Sequence, residues 1–269
     1  MKVFGIDFTS RPTNRKPITC LRCELGGGVL QAGELIEIPN YNGFEKQLSS
    51  AGPWIAGLDF PFGQSERLIT NLGWPKNWSE YIEHVARLDR ASFRSMLEDY
   101  KRDRAVGDKE HRRIVDAEAG SISPQKLYGV PVALMFYEGA RRLAASGVNI
   151  PVLRETQSDR TVVESYPGVL ARAIIGKRPY KSDTRKKQTE EQLEARRHIY
   201  EGLRAIAPRE YGFVVQADPK LCLDPSGDEL DALLCAVQAA WAWKMRAARY
   251  GIPERASPLE GWISDPGLI

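Results

Sequence analysis

The chain predicts an α/β fold, a mixed sheet flanked by helices, and three observations carry that expectation. Short apolar runs occur without alternation, two strand-like runs are joined by a triple glycine, and long helical patterns fill most of the remainder. Val3, Phe4, Gly5 and Ile6 are the first apolar run, the pattern of a strand buried on both faces. The stretches WIAGLDFPFG (54–63) and TVVESYP (161–167) repeat it, and the three runs close on Asp7, Asp59 and Glu164. The carboxyl ends of strands are where open α/β sheets place their ligand crevice.

After the first strand, residues 11–16 form a polar turn, and 18–25 and 29–38 read as two strands linked through Gly26, Gly27 and Gly28. Glycine is free to adopt the positive φ of a hairpin turn. A phosphate-cradling loop would need a following helix and a lysine, and neither is present there. A short helix over 42–50 precedes the second buried strand, which is expected parallel to the first, whereas the first three strands pair antiparallel. Residues 64–155 differ in kind, with helical patterns over 78–88, 92–102 and 131–146, and are expected as a helical insertion within a single domain spanning 1–269. The charged run 101–113, without apolar periodicity, reads as a mobile loop. Next come a buried strand at 162–164, a helix opening at Pro167, the basic loop 176–187, a helix over 188–206 and a strand at 211–217. The last helix opens with a Ser226–Glu229 capping box and runs to about 249, and the proline- and glycine-rich tail 251–269 is expected to pack loosely.

At 269 residues, 42% apolar and 27% charged, the composition is that of an ordinary soluble protein. The net charge of +3 permits a polyanionic partner without arguing for one. No run approaches eighteen apolar residues, so a membrane span is not expected, and the N-terminus enters a strand without the apolar stretch of a signal peptide. A cytoplasmic protein with four reduced cysteines follows as the expectation. Cys20 and Cys23 form a C-x-x-C, but on a strand positions three apart face opposite ways, and Cys222 and Cys235 supply no second pair. Trp241 and Trp243 lie in an apolar helix and read as core.

The candidate chemistry lies in the acids. Asp228 and Asp231, three apart, share one face of the last helix, in its first turn. Close carboxylates repel one another and persist when cations neutralise them. Oxygen donors select magnesium, manganese or calcium over zinc. If Asp7, Asp59, Glu164, Asp228 and Asp231 meet, the chemistry that follows is two-metal phosphodiester hydrolysis. Asp7, Glu164, Asp228 and Asp231 are then the metal ligands, with Asp59 as a further catalytic acid. Each also has a plainer reading: Asp7 and Asp59 as turn acceptors, Asp228 as a helix-terminal charge. Lys181 and Arg185 of the basic loop are candidates for substrate phosphates, against the alternative of a solvated charge run.

The motifs GIDFTS, GLDFPFG, VESYPGVL, YKSDTRKK and GDELDALLCA, in this order, resemble family 429 of the domains of unknown function, whose members are predicted ribonuclease H-like nucleases. The resemblance spans nearly the whole chain. It implies a five-stranded ribonuclease H-like sheet in the order 3-2-1-4-5 and an acidic site at Asp7, Asp59, Glu164 and the final-helix aspartates. The D-x-x-D-A of residues 228–232 is similar to the acid pair in the last helix of RuvC-type junction resolvases, whose second-strand acid is a glutamate where this chain has Asp59. The expected function is a magnesium- or manganese-dependent nuclease acting on nucleic acid. Two alternatives stay open: a phosphotransferase, because GIDFTS also resembles the first phosphate motif of sugar kinases and actin-like ATPases, and a non-catalytic nucleic-acid-binding protein.

Overall fold

The computed structural model describes residues 1–182 and 184–269, with the Arg185 side chain outside that description. β1 (Lys2–Asp7) runs through the middle of one sheet. On one side β2 (Ile18–Gly26) and then β3 (Val29–Ile38) follow antiparallel, joined by Gly27 and Gly28 at φ of 56° and 76°. On the other side β4 (Trp54–Leu58) and β5 (Arg160–Glu164) run parallel to β1. β6 (Val214–Gln216) pairs parallel with β3, giving the order β5-β4-β1-β2-β3-β6. The described residues thus form six strands rather than five: the 211–217 segment extends the outer edge of β3.

Helices cover both faces. One face carries α1 (Tyr41–Leu48) and, from the segment between β4 and β5, α2 (Glu66–Asn71), α3 (Trp78–Ala86), α4 (Arg90–Arg102) and α6 (Val132–Ser146), while α5 (Ile114–Glu118) of the same segment packs on the C-terminal tail through Val115. Phe4, Ile6, Trp54, Ala56 and Leu58 of the sheet meet Tyr81, Phe93 and Phe136 on that face in one apolar cluster. The other face carries α7 (Pro167–Ile175), α8 (Glu190–Glu210) and α9 (Asp228–Lys244), over Val3, Ile55 and Val163. Cys20 belongs to the first cluster and Cys23 to the second, as strand alternation requires, and all four cysteines are free and buried. No helix of the described residues is long and apolar enough to cross a membrane.

α9 lies on β1 and β4 because two glycines let it. Gly5 and Gly57 are paired across the strands, and each faces the helix. A Cβ on Gly5 would stand 1.8 Å from the Ala232 carbonyl oxygen and 2.4 Å from the Ala236 nitrogen, and one on Gly57 2.4 Å from the Cys235 carbonyl oxygen. The helix answers with small residues, Ala232, Ala236 and Ala239. Gly5→Ala is expected to lift α9 and cost about 3 kcal/mol of stability, as overpacking against backbone does. Gly26→Ala, which meets nothing within 4 Å, is the control. Equal melting temperatures for the two variants would refute this account of the close approach.

Two segments differ from expectation. The tail packs closely: Ile252, Trp262, Ile263 and Leu268 are buried, and the Ser264 N–H donates to the Glu164 carbonyl at 2.8 Å. The charged run 101–113 ends in a fully buried side chain, Arg113, because buried acids await it.

Candidate active site

The geometry of the site follows from strand alternation. Asp7 ends β1 on the same side as Val3 and Gly5, the side covered by α9, and Asp59 follows β4 on the side of Ile55 and Gly57. The Asp59 N–H donates to the Ile6 carbonyl at 3.0 Å, continuing the parallel ladder past the end of β4. Asp231, one turn into α9 and fully buried, is lowered onto both by the glycine trough. One carboxylate oxygen from each of Asp7, Asp59 and Asp231 lies within 4.8 Å of the other two. Among the described residues this is the group of side chains with the spacing to hold a metal ion.

Asp228 stands beside that group. The capping work expected of it falls to Asp224, whose carboxylate accepts from the Ser226, Asp228 and Glu229 amides at 2.9, 2.9 and 3.4 Å. Gly227, at φ 78°, is the N-cap, so the expected Ser226–Glu229 box does not form. Burial raises the pKa of Asp228, and its charge in turn raises those of Asp7 and Asp59.

Glu164 has different company. Its register partner on β4 is Leu58, and Val163 takes the α9 side, so Glu164 projects toward the opposite face. There its two oxygens accept from Arg113 at 2.6 and 2.8 Å, and one also accepts from the Phe62 N–H at 2.9 Å. Arg113 further binds Asp116 at 2.8 and 2.9 Å and the Glu260 carbonyl at 3.0 Å. Burial opposes the charge on Arg113, but Asp116 and Glu164 outweigh it and hold its pKa well above the ordinary value. The structure therefore brings Asp7, Asp59 and Asp231 together, with Asp228 adjacent, and leaves Glu164 in a separate buried ion pair.

Lys181 reaches into the acid group. Its ammonium pairs with Asp231 Oδ2, while the Tyr180 hydroxyl donates to Asp231 Oδ1 at 2.8 Å. Burial works against the charged amine, but Asp231, Tyr180, Asp7 and Asp59 raise its pKa well above the ordinary value. One ammonium does not balance three acids. Burial, reinforced by the neighbouring carboxylates, pushes Asp7 well above the carboxylate range and Asp59 up to about 7. Burial, with the same acids, raises the pKa of the Cys235 thiol. The Arg185 side chain, expected at substrate phosphates, lies outside the described residues.

Asp59, Asp231 and Lys181 line a cleft of about 590 Å³ together with Arg113, Asp116 and Glu164. Ile122, Val130 and Met135 of the helical segment add apolar lining, and Arg172, Lys177 and Arg178 add basic lining. The residue types missing from the sequence reading are Arg113, Asp116, Tyr180 and Asp224. The first two carried a signal: R-x-x-D where a charged run meets the apolar I-V-D-A-E places both side chains on one helical turn.

A family model described as a protein of unknown function, DUF429, matches residues 5–255. The chain belongs to the DUF429 family. The DUF429 match takes in Asp7, Asp59, Asp228 and Asp231 of this chain and ends inside the tail, before Glu260. No curated protein and no solved structure matches the chain.

Proposed function

We propose that this protein is a divalent-metal-dependent phosphodiesterase that hydrolyses nucleic acid, built on a ribonuclease H-like sheet. The observation that carries the reading is the meeting of Asp7, Asp59 and Asp231, drawn from two strand ends and a helix, with oxygens within 4.8 Å of one another. Their donor set fits a hard ion: three carboxylate oxygens, with no thiol in the group. The succession β3-β2-β1-β4-β5 within the sheet supports the ribonuclease H-like reading.

Asp7, Asp59 and Asp231 would hold the metal, and Asp228 adds negative charge at its margin. A divalent ion bound there supplies an activated water and stabilisation of the departing oxygen. The chain's own groups position the substrate. Lys177 and Arg178, exposed where they line the cleft, meet backbone phosphates. Arg113 pairs with Glu164 and holds it on the face opposite the acid group.

The test is cleavage of labelled single- and double-stranded DNA and RNA with magnesium or manganese. Native protein is expected to cut, and Asp7→Asn and Asp231→Asn are each expected to lose at least about 100-fold, since even outer-shell partners of a metal site are worth 10–100-fold. Cutting that persists undiminished in both variants would remove the assignment.

A further inference from the structure

We propose that the acid group takes a single divalent ion and that the Lys181 ammonium stands where a second ion would otherwise sit. The proposal rests on the metal-dependent reading above and replaces the two-ion site expected from the sequence with a site of one ion and one lysine.

Charge decides the number. With an ion in place of their protons, Asp7, Asp59 and Asp231 bring three negative charges into one spot, and Lys181 brings one positive charge to it. The remainder is two, the charge of one divalent ion. The count is taken over the acids that share the spot: Asp228 stands outside the group whose oxygens meet, and Glu164 is held by Arg113 on the opposite face of the sheet. A second ion would leave a buried site with surplus positive charge, which burial penalises as it does surplus negative charge.

Lys181 is also built into its place, unlike Lys177 and Arg178, whose side chains are exposed. The Arg196 guanidinium donates to the Tyr180 carbonyl at 2.8 Å, and the Gln192 amide donates to the Lys181 carbonyl at 3.3 Å. Gly227 makes room for the same residue, since a Cβ there would come within 2.8 Å of the Lys181 Cβ. Tyr180 and Lys181 take one Asp231 oxygen each, so part of that carboxylate's acceptor capacity is already used by the chain. Asp7 and Asp59 supply the other oxygens of the group to an ion. A lysine held this way would supply positive charge to a substrate phosphate at the site, which is the contribution a second metal makes in two-ion sites.

The experiment is a count of bound manganese per chain by titration with electron paramagnetic detection of the free ion. Native protein is expected to bind one ion. Lys181→Met, which keeps the length of the stem and removes the charge, is expected to bind two, and Lys181→Arg to stay at one. Two ions in the native protein would overturn the proposal and leave the metal-dependent reading standing, as would a count of one in a folded Lys181→Met. No ion bound by the native protein would remove that reading itself. Should Lys181→Met not fold, the native and Lys181→Arg counts decide: one in both supports the proposal, and two in either overturns it.

Discussion

Asp7→Asn is expected to raise the melting temperature of the metal-free protein while abolishing its gain on addition of magnesium or manganese. Asp7 is buried at the end of the central strand, with Asp59, Asp228 and Asp231 all raising its pKa. Asparagine has nearly the same shape and no charge, so the repulsion is relieved without opening a cavity. The gain is on the order of 1 kcal/mol, the usual reward for relaxing a site kept strained for function. Native protein at a metal concentration 100 times its Kd should gain about 2.7 kcal/mol from binding. For a chain of this size that is a shift of roughly 5–10 °C, because each kcal/mol moves the midpoint by about 2–4 °C. Thermal melts with and without metal read both effects. A variant that melts lower and still responds to metal would mean that Asp7 serves the turn after β1 and no ion.

Asp7 and Asp231 are legible in the sequence as candidate ligands because an acid closing an apolar run is conspicuous, and so is one embedded in an apolar helix beside Ala232 and Leu233. Asp59, expected only as a further catalytic acid, joins their group, whereas Glu164 and Asp228, expected as ligands, do not. The parallel pairing of β1 with β4 and the hairpin at Gly27 and Gly28 are legible for similarly local reasons: apolar runs of strand length, and glycines where φ must be positive. Glu164 shows where local reading stops. It has the same grammar as Asp7, but which face it takes depends on the register of β5 against β4, and a shift of one residue exchanges the faces. Gly5 and Gly57 are equally silent, since nothing in a single strand says that a helix will press on it. The buried end of the charged run and the packed tail escape for a further reason. Arg113 is buried only because Glu164, Asp116 and Glu260, up to 147 residues away, enclose it.

That enclosure makes Arg113 the residue whose loss should cost the fold most. Its guanidinium ties the end of β5 through Glu164, the start of α5 through Asp116 and the tail through the Glu260 carbonyl. The Glu260 carboxylate in turn accepts from the Glu66 and Ile114 amides at 2.8 and 3.0 Å, so the same knot fixes the starts of α2 and α5. Arg113→Met fills much of the space but strands two carboxylates, each about 97% removed from solvent at the side chain. Breaking a buried pair in this way costs about 3–5 kcal/mol, more than the pair itself contributes, because the orphaned charge keeps its desolvation penalty. Lys at this position keeps the charge but cannot span both acids with a rigid fork, and should fall between native and Met. The decisive comparison adds Asp116→Asn and Glu164→Gln to Arg113→Met: removing the stranded charges is expected to restore most of the lost stability in urea unfolding. A triple variant no more stable than Arg113→Met would show that the arginine acts through packing and its bond to Glu260. An Arg113→Met cost below about 1 kcal/mol, the range of surface pairs, would deny the knot any such role.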